Sequence, residues 1–136
     1  MLDLSRPEYA HPLKRLRTDL MLWLGSVRPD GRPHLVAVWF LWDGASVLIL
    51  SKPENQKVRN LRQNPHVTLA LDDTRSGEDV VVIEGTAELV SDPDLTVTLP
   101  AYAAKYAEQI ARIFTDPEDM ARQYSQAIRI TPTRVR

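Results

Sequence analysis

Residues 18–51 read TDLMLWLGSVRPDGRPHLVAVWFLWDGASVLILS, and this stretch decides the fold. It holds three apolar runs: Thr18 to Val27, His34 to Trp42, and Ala45 to Ser51. Asp30-Gly31, within the turn sequence Arg28 to Pro33, separates the first two, and Asp43-Gly44 separates the last two. An Asp-Gly pair between apolar runs marks a hairpin, because glycine reaches positive φ without a steric penalty. The expectation is three antiparallel strands in a meander. The middle run, HLVAVWFLW, hardly alternates, and a strand apolar on both sides is covered on both sides. In a 136-residue chain, sized for one domain, the cover is a helix or a second subunit, and we favour the subunit.

Downstream, Pro53 to Asn64 reads as a short helix. Proline is tolerated at a first helical position, Val58 and Leu61 share a face, and Asn64-Pro65 stops it. His66 to Asp72 alternates Val67, Leu69 and Leu71 against smaller or polar residues, as a half-buried strand does. Asp73 to Glu78 is a polar loop. Val80 to Val90 is a long strand with Glu84, Thr86 and Glu88 on one face and Ile83, Gly85, Ala87 and Leu89 on the other. Gly85 marks a bulge or a close backbone approach. From Asp92 the pattern turns helical, with Tyr102, Tyr106, Ile110 and Ile113 as an apolar stripe and Lys105, Glu108 and Arg112 opposite. Pro117 to Tyr124 adds a further turn or two of helix. Gln126 to Ile130 is the last strand, ended by Pro132. Six short strands with few helices predict a mainly β fold closed as a barrel, which removes exposed edges. One domain spans residues 1–136, with 1–12 loosely ordered.

Composition excludes several function classes. There are no cysteines, hence no disulfide, thiolate chemistry or cysteine zinc site. The net charge of −1, from 17 basic and 18 acidic side chains, lacks the basic excess of a nucleic-acid binder. No apolar run approaches a membrane span, and the first 20 residues carry no apolar signal core, so a cytoplasmic protein is expected. His11, His34 and His66 are too scattered to hold a metal. No nucleophile elbow, dinucleotide fingerprint or P-loop is present. Glu84 and Glu88 share a strand face but stand about 13 Å apart, too far for a paired-carboxylate site.

Two features remain as candidates. Lys52, Lys57, Arg59 and Arg62 form the densest basic stretch, broken by one acid, Glu54. Near the start of a helix, such cations clamp a phosphate; equally, basic runs form solvated helix faces. Trp23, Trp39 and Trp42 are either stacking partners for an aromatic ring or packing residues. No catalytic residue is identifiable from the residues alone.

Four segments in order resemble the pyridoxamine 5′-phosphate oxidase-like family. They are Trp23 to Gly44, Ser51 to Pro65 (SKPENQKVRNLRQNP), Val82 to Val90 (VIEGTAELV) and Ile128 to Val135 (IRITPTRV). The set is most similar to the branch of F420-dependent flavin/deazaflavin oxidoreductases, and it covers the chain from about Leu13 onward. The resemblance implies an FMN-binding split β-barrel, a homodimer with cofactor sites at the subunit interface, and coenzyme F420, with FMN as the alternative. It further implies hydride transfer to a small conjugated or quinone-like organic substrate; the shortage of acid/base residues near the expected site leaves cofactor carriage without catalysis as the alternative. By position, Val36, Ala37, Val38 and Trp39 line the ring, and Leu50, Ser51 and Lys52 pass beside the ring and its ribityl chain. Gln56 and Lys57 match the phosphate-binding pair, and Asn60 supports that turn. Gln56 stands where the oxidase proper has a cation, and the oxidase's C-terminal substrate-binding stretch is absent, so pyridoxamine phosphate oxidation is not expected.

Overall fold

A computed structural model describes residues 2–72 and 74–136, with the backbone alone over residues 92–98. After a 3-10 turn at Pro7–Tyr9, the elements are α1 (Ala10–Thr18), β1 (Leu22–Val27), β2 (Pro33–Val38), β3 (Leu41–Trp42), β4 (Val47–Ser51) and α2 (Gln56–Leu61). They continue as β5 (His66–Leu71), β6 (Val81–Val90), α3 (Asp92–Lys105), α4 (Ala107–Ile113), α5 (Pro117–Gln123) and β7 (Gln126–Val135). The polar loop expected from Asp73 begins on a residue outside the described set.

The strands form a seven-stranded antiparallel sheet in the order β2-β1-β5-β6-β7-β4-β3. Its two outermost strands, β2 and β3, are joined by Trp39-Phe40 alone. Three Cα steps span at most about 11 Å, so the two edges must approach at this point. The sheet therefore curls into a split barrel, and Trp39-Phe40 is its seam.

Both Asp-Gly turns exist, with Gly31 at φ 89° and Gly44 at φ 95°. They do not build one meander. The first joins β1 to β2 and the second joins β3 to β4, at opposite sheet edges. The chain leaves the ladder at Phe40 because the Tyr106 hydroxyl and the Lys105 ammonium take its backbone groups. The doubly covered strand is β4, buried at all five positions, and not the 34–42 run. β4 packs inward with Leu22, Leu69, Ile83 and Ile130, and outward through Leu48 and Leu50 against Tyr102, Tyr106, Ile110 and Met120. On β2, by contrast, Pro33, Leu35 and Ala37 are exposed.

Other boundaries also differ from the sequence expectation. Residues 7–18 are a 3-10 turn and a helix rather than a loose tail leading into a strand; Leu16 of α1 plugs the barrel and is 1% exposed. The next helix starts at Gln56 and not at Pro53, because Asn55 still holds extended backbone at ψ 154°. Ile113 is 63% exposed, because the chain leaves helical geometry at Tyr106 (φ −111°, ψ 26°) and the stripe turns away. Lys105 is half-buried rather than solvated. Pro132 does not end β7. It sits opposite Gly85, where the β6–β7 register shifts, and a bulge tolerates a residue without an N–H. A Cβ on Gly85 would come within 2.8 Å of the Thr131 carbonyl oxygen, which is the close approach expected there. Among the described residues, no helix is long and apolar enough to cross a membrane.

Candidate functional site

The seam, the end of β4, the start of α2 and the helices α3–α5 surround a cleft of about 390 Å³. Ala37, Val38 and Trp39 form its sheet side together with Leu50. Tyr102, Phe114, Met120 and Tyr124 form the helical side, where Phe114 and Tyr124 meet edge to face at 5.7 Å. Met21 and Ile113 line it from exposed positions. Asn55 and Lys57 are its polar end.

Lys57 is 7% exposed, and its ammonium has no hydrogen-bond or ion-pair partner among the described residues. Burial holds its pKa below the usual lysine value. His34 on β2 lies close enough to feel the same charges, and its Nδ1 is buried without a partner. Burial first, then the charges of Arg28 and Lys57, push the His34 pKa down. A buried cation with no counter-charge is costly unless an anion reaches it. The cleft thus offers apolar and aromatic walls for a flat ring and one desolvated cation for an anionic group.

The remaining positions singled out in the sequence take different places. Gln56 Nε2 donates to Asn60 Oδ1 at 2.7 Å, and Gln56 Oε1 accepts from Arg59 Nη2 at 2.7 Å. Asn60 Nδ2 donates to Ser26 Oγ at 2.9 Å, deep under α2. Gln56 and Asn60 therefore serve as an anchor of the helix that carries Lys57. Ser51 is fully buried and donates its hydroxyl to the Lys52 carbonyl at 2.9 Å. Lys52 Nζ lies 5.5 Å from the centre of the Tyr124 ring, a cation–π contact beside the cleft. Val36 packs against the main core and not into the cleft. The structure brings Ala37, Val38, Trp39, Leu50 and Lys57 together around one space. Asn55 and the whole helical wall were missed by the sequence reading. The Tyr102–Tyr106–Ile110 spacing signalled an apolar helix face, but not which side of the sheet it covers.

The pyridoxamine 5′-phosphate oxidase family model matches residues 13–136. This chain belongs to that family. Among solved structures, an F420 reductase is 28% identical over 90% of this chain and 94% of its own, with a TM-score of 0.72. A conserved hypothetical protein of Mycobacterium tuberculosis is 26% identical over 93% of this chain and 81% of its own, with a TM-score of 0.76. HutZ, the heme storage protein of Vibrio cholerae, shares the oxidase-family fold at 17% identity, 93% and 92% coverage and a TM-score of 0.67. No curated protein sequence matches the chain.

Proposed function

We propose that the chain binds a flavin-type cofactor in this cleft, coenzyme F420 ahead of FMN, and acts as a reductase on a small conjugated or quinone-like organic molecule. The observation that carries this reading is the unpaired, buried Lys57 at the polar end of a cleft walled by Trp39, Leu50 and Tyr124. The residues fit such a group. Lys57 and Asn55 meet the phosphate end, with Arg28 adding positive field; Ala37, Val38 and Trp39 meet the ring. A reduced deazaflavin, when bound, supplies hydride to an organic acceptor, and the protein supplies position and electrostatics. The preference for F420 draws on the F420 reductase, which is 28% identical.

Two copies complete the proposal. Trp23 and Leu35 are 45% and 65% exposed on the outer face of the β1–β2 edge, beside Ala37. An apolar face on an edge hairpin, continuous with the cleft through Ala37, is suited to a second copy of the chain.

A second reading, a carrier without its own substrate, is favoured by the lining of the cleft. Among the described residues, Lys57, Tyr102 and Tyr124 are its titratable side chains, and no carboxylate or imidazole lines it. Side-by-side titrations with F420, FMN and FAD, followed by turnover of reduced F420 with a panel of quinone acceptors, separate the readings. Tight F420 binding with steady turnover supports the reductase. F420 binding without turnover supports the carrier, and FMN or FAD binding alone removes both F420 readings.

A further inference from the structure

We propose that Tyr106 and Lys105 are positioning residues for Trp39, holding the two-residue seam of the barrel so that the indole stands in the cleft wall. This rests on the reading of the cleft as the cofactor's ring site. Trp39 and Phe40 belong to neither flanking strand, yet Phe40 is fully buried, so its backbone groups need partners from elsewhere. Two consecutive residues at the end of α3 supply them. The Phe40 N–H donates to the Tyr106 hydroxyl oxygen at 2.9 Å. The Tyr106 hydroxyl proton faces the carbonyls of Leu20 at 2.7 Å and Phe40 at 2.9 Å. Lys105 Nζ donates to the Phe40 carbonyl at 2.8 Å and lies 3.7 Å from the centre of the Phe40 ring.

The same tyrosine carries the tryptophan. The Trp39 and Tyr106 rings stack with centroids 4.6 Å apart and 7° between planes. Tyr106 is itself fully buried and locked against Tyr102 at 5.1 Å. One side chain therefore fixes the backbone on one side of the seam and the indole plane on the other. Leu20, the residue at which the chain approaches β1, is tied to the same hydroxyl. The seam is where the sheet edges meet without a ladder, so strand pairing does not set the angle of Trp39.

The test is a 19F spectrum of the full chain labelled with 5-fluorotryptophan, which has three tryptophans, Trp39 being assigned by its loss in Trp39→Phe. Tyr106→Phe keeps the stacked ring and removes only the oxygen. It is expected to move the Trp39 resonance, leave that of Trp23 in place, and weaken F420 binding about 3- to 10-fold, the scale of one lost hydrogen bond. A folded Tyr106→Phe protein with an unmoved Trp39 resonance overturns the proposal, whatever its affinity. A moved resonance with unchanged F420 affinity upholds the positioning role and removes Trp39 from the cofactor site. A pH titration gives a second arm should Tyr106→Phe fail to fold. The Lys105 ammonium faces Asp19, itself paired with Arg15, and the Tyr106 ring, and burial brings its pKa to about 8. The wild-type Trp39 resonance is expected to step near that pH, and Lys105→Arg, charged throughout, to abolish the step. No step in the wild type overturns the role of Lys105.

Discussion

The Asn60 side-chain amide donates to Ser26 Oγ across 2.9 Å, and this one bond ties α2 to β1 beneath Lys57. Both residues are buried, Asn60 completely and Ser26 at 4% exposure. Asn60→Ala strands the Ser26 hydroxyl and the Gln56 amide together. The expected loss in urea unfolding is about 1–3 kcal/mol, the penalty for unsatisfied buried polar groups. Wild-type stability in this variant would show that α2 is anchored by its apolar face alone.

Lys57→Met is expected to move stability and binding in opposite directions. The variant removes the ammonium of a buried lysine that has no partner among the described residues, so the cofactor-free protein should melt at a higher temperature. F420 binding should fall by about 1.5–3 kcal/mol, the scale of a charged hydrogen bond. Fluorescence titration and differential scanning calorimetry measure the two effects. Unchanged affinity would remove Lys57 from the phosphate site.

Alkaline pH should stabilise the cofactor-free protein. Lys57 and Lys105 both hold folded pKa values below 10.5 because burial disfavours their charge, Lys105 at about 8. Below the folded pKa both states are protonated and the burial penalty is fully present. Between the folded value and 10.5 the unfolded chain binds more protons, so stability rises with pH. For Lys105 that window opens near pH 8. Lys105→Met should flatten this rise in urea midpoints taken between those two pH values. A midpoint that climbs as steeply as in the wild type would contradict the burial of this charge.

Leu35→Glu places a charge at the centre of the exposed apolar patch on β2, where Leu35 is 65% exposed. Multi-angle light scattering should report a dimer for the wild type and a monomer for the variant, with its circular dichroism unchanged. A wild-type monomer at micromolar concentration would leave the patch without its proposed occupant.

Gly85→Ala tests the bulge. Its new methyl would stand 2.8 Å from the Thr131 carbonyl oxygen and 2.9 Å from Ile130 Cγ2, contacts that force β6 and β7 apart. Destabilisation of about 1–3 kcal/mol is expected, the usual range for overpacking. A neutral result would mean that the two strands separate freely at this point.

Local chemistry was legible in the sequence. The alternation of Val67, Leu69 and Leu71 and the glycines of both Asp-Gly turns depend on neighbours in the chain, so β5 and the hairpin turns stand where they were read. Gly85 likewise announced a bulge, and the motif segments around Trp39 and Lys57 pointed to a candidate site. Only the tertiary structure decided the order of the strands. Asp43-Gly44 turns the same way whether β3 lies beside β2 or at the far edge, and Phe40 chose the far edge through partners 65 and 66 residues away. The helical wall of the cleft was undetermined for the same reason. The Tyr102–Ile110 stripe requires a partner, but which face of β4 receives it is settled by long-range packing. The solvent exposure of Lys57 was also beyond the sequence, because a helix-borne lysine is free or desolvated according to what the rest of the fold lays over it.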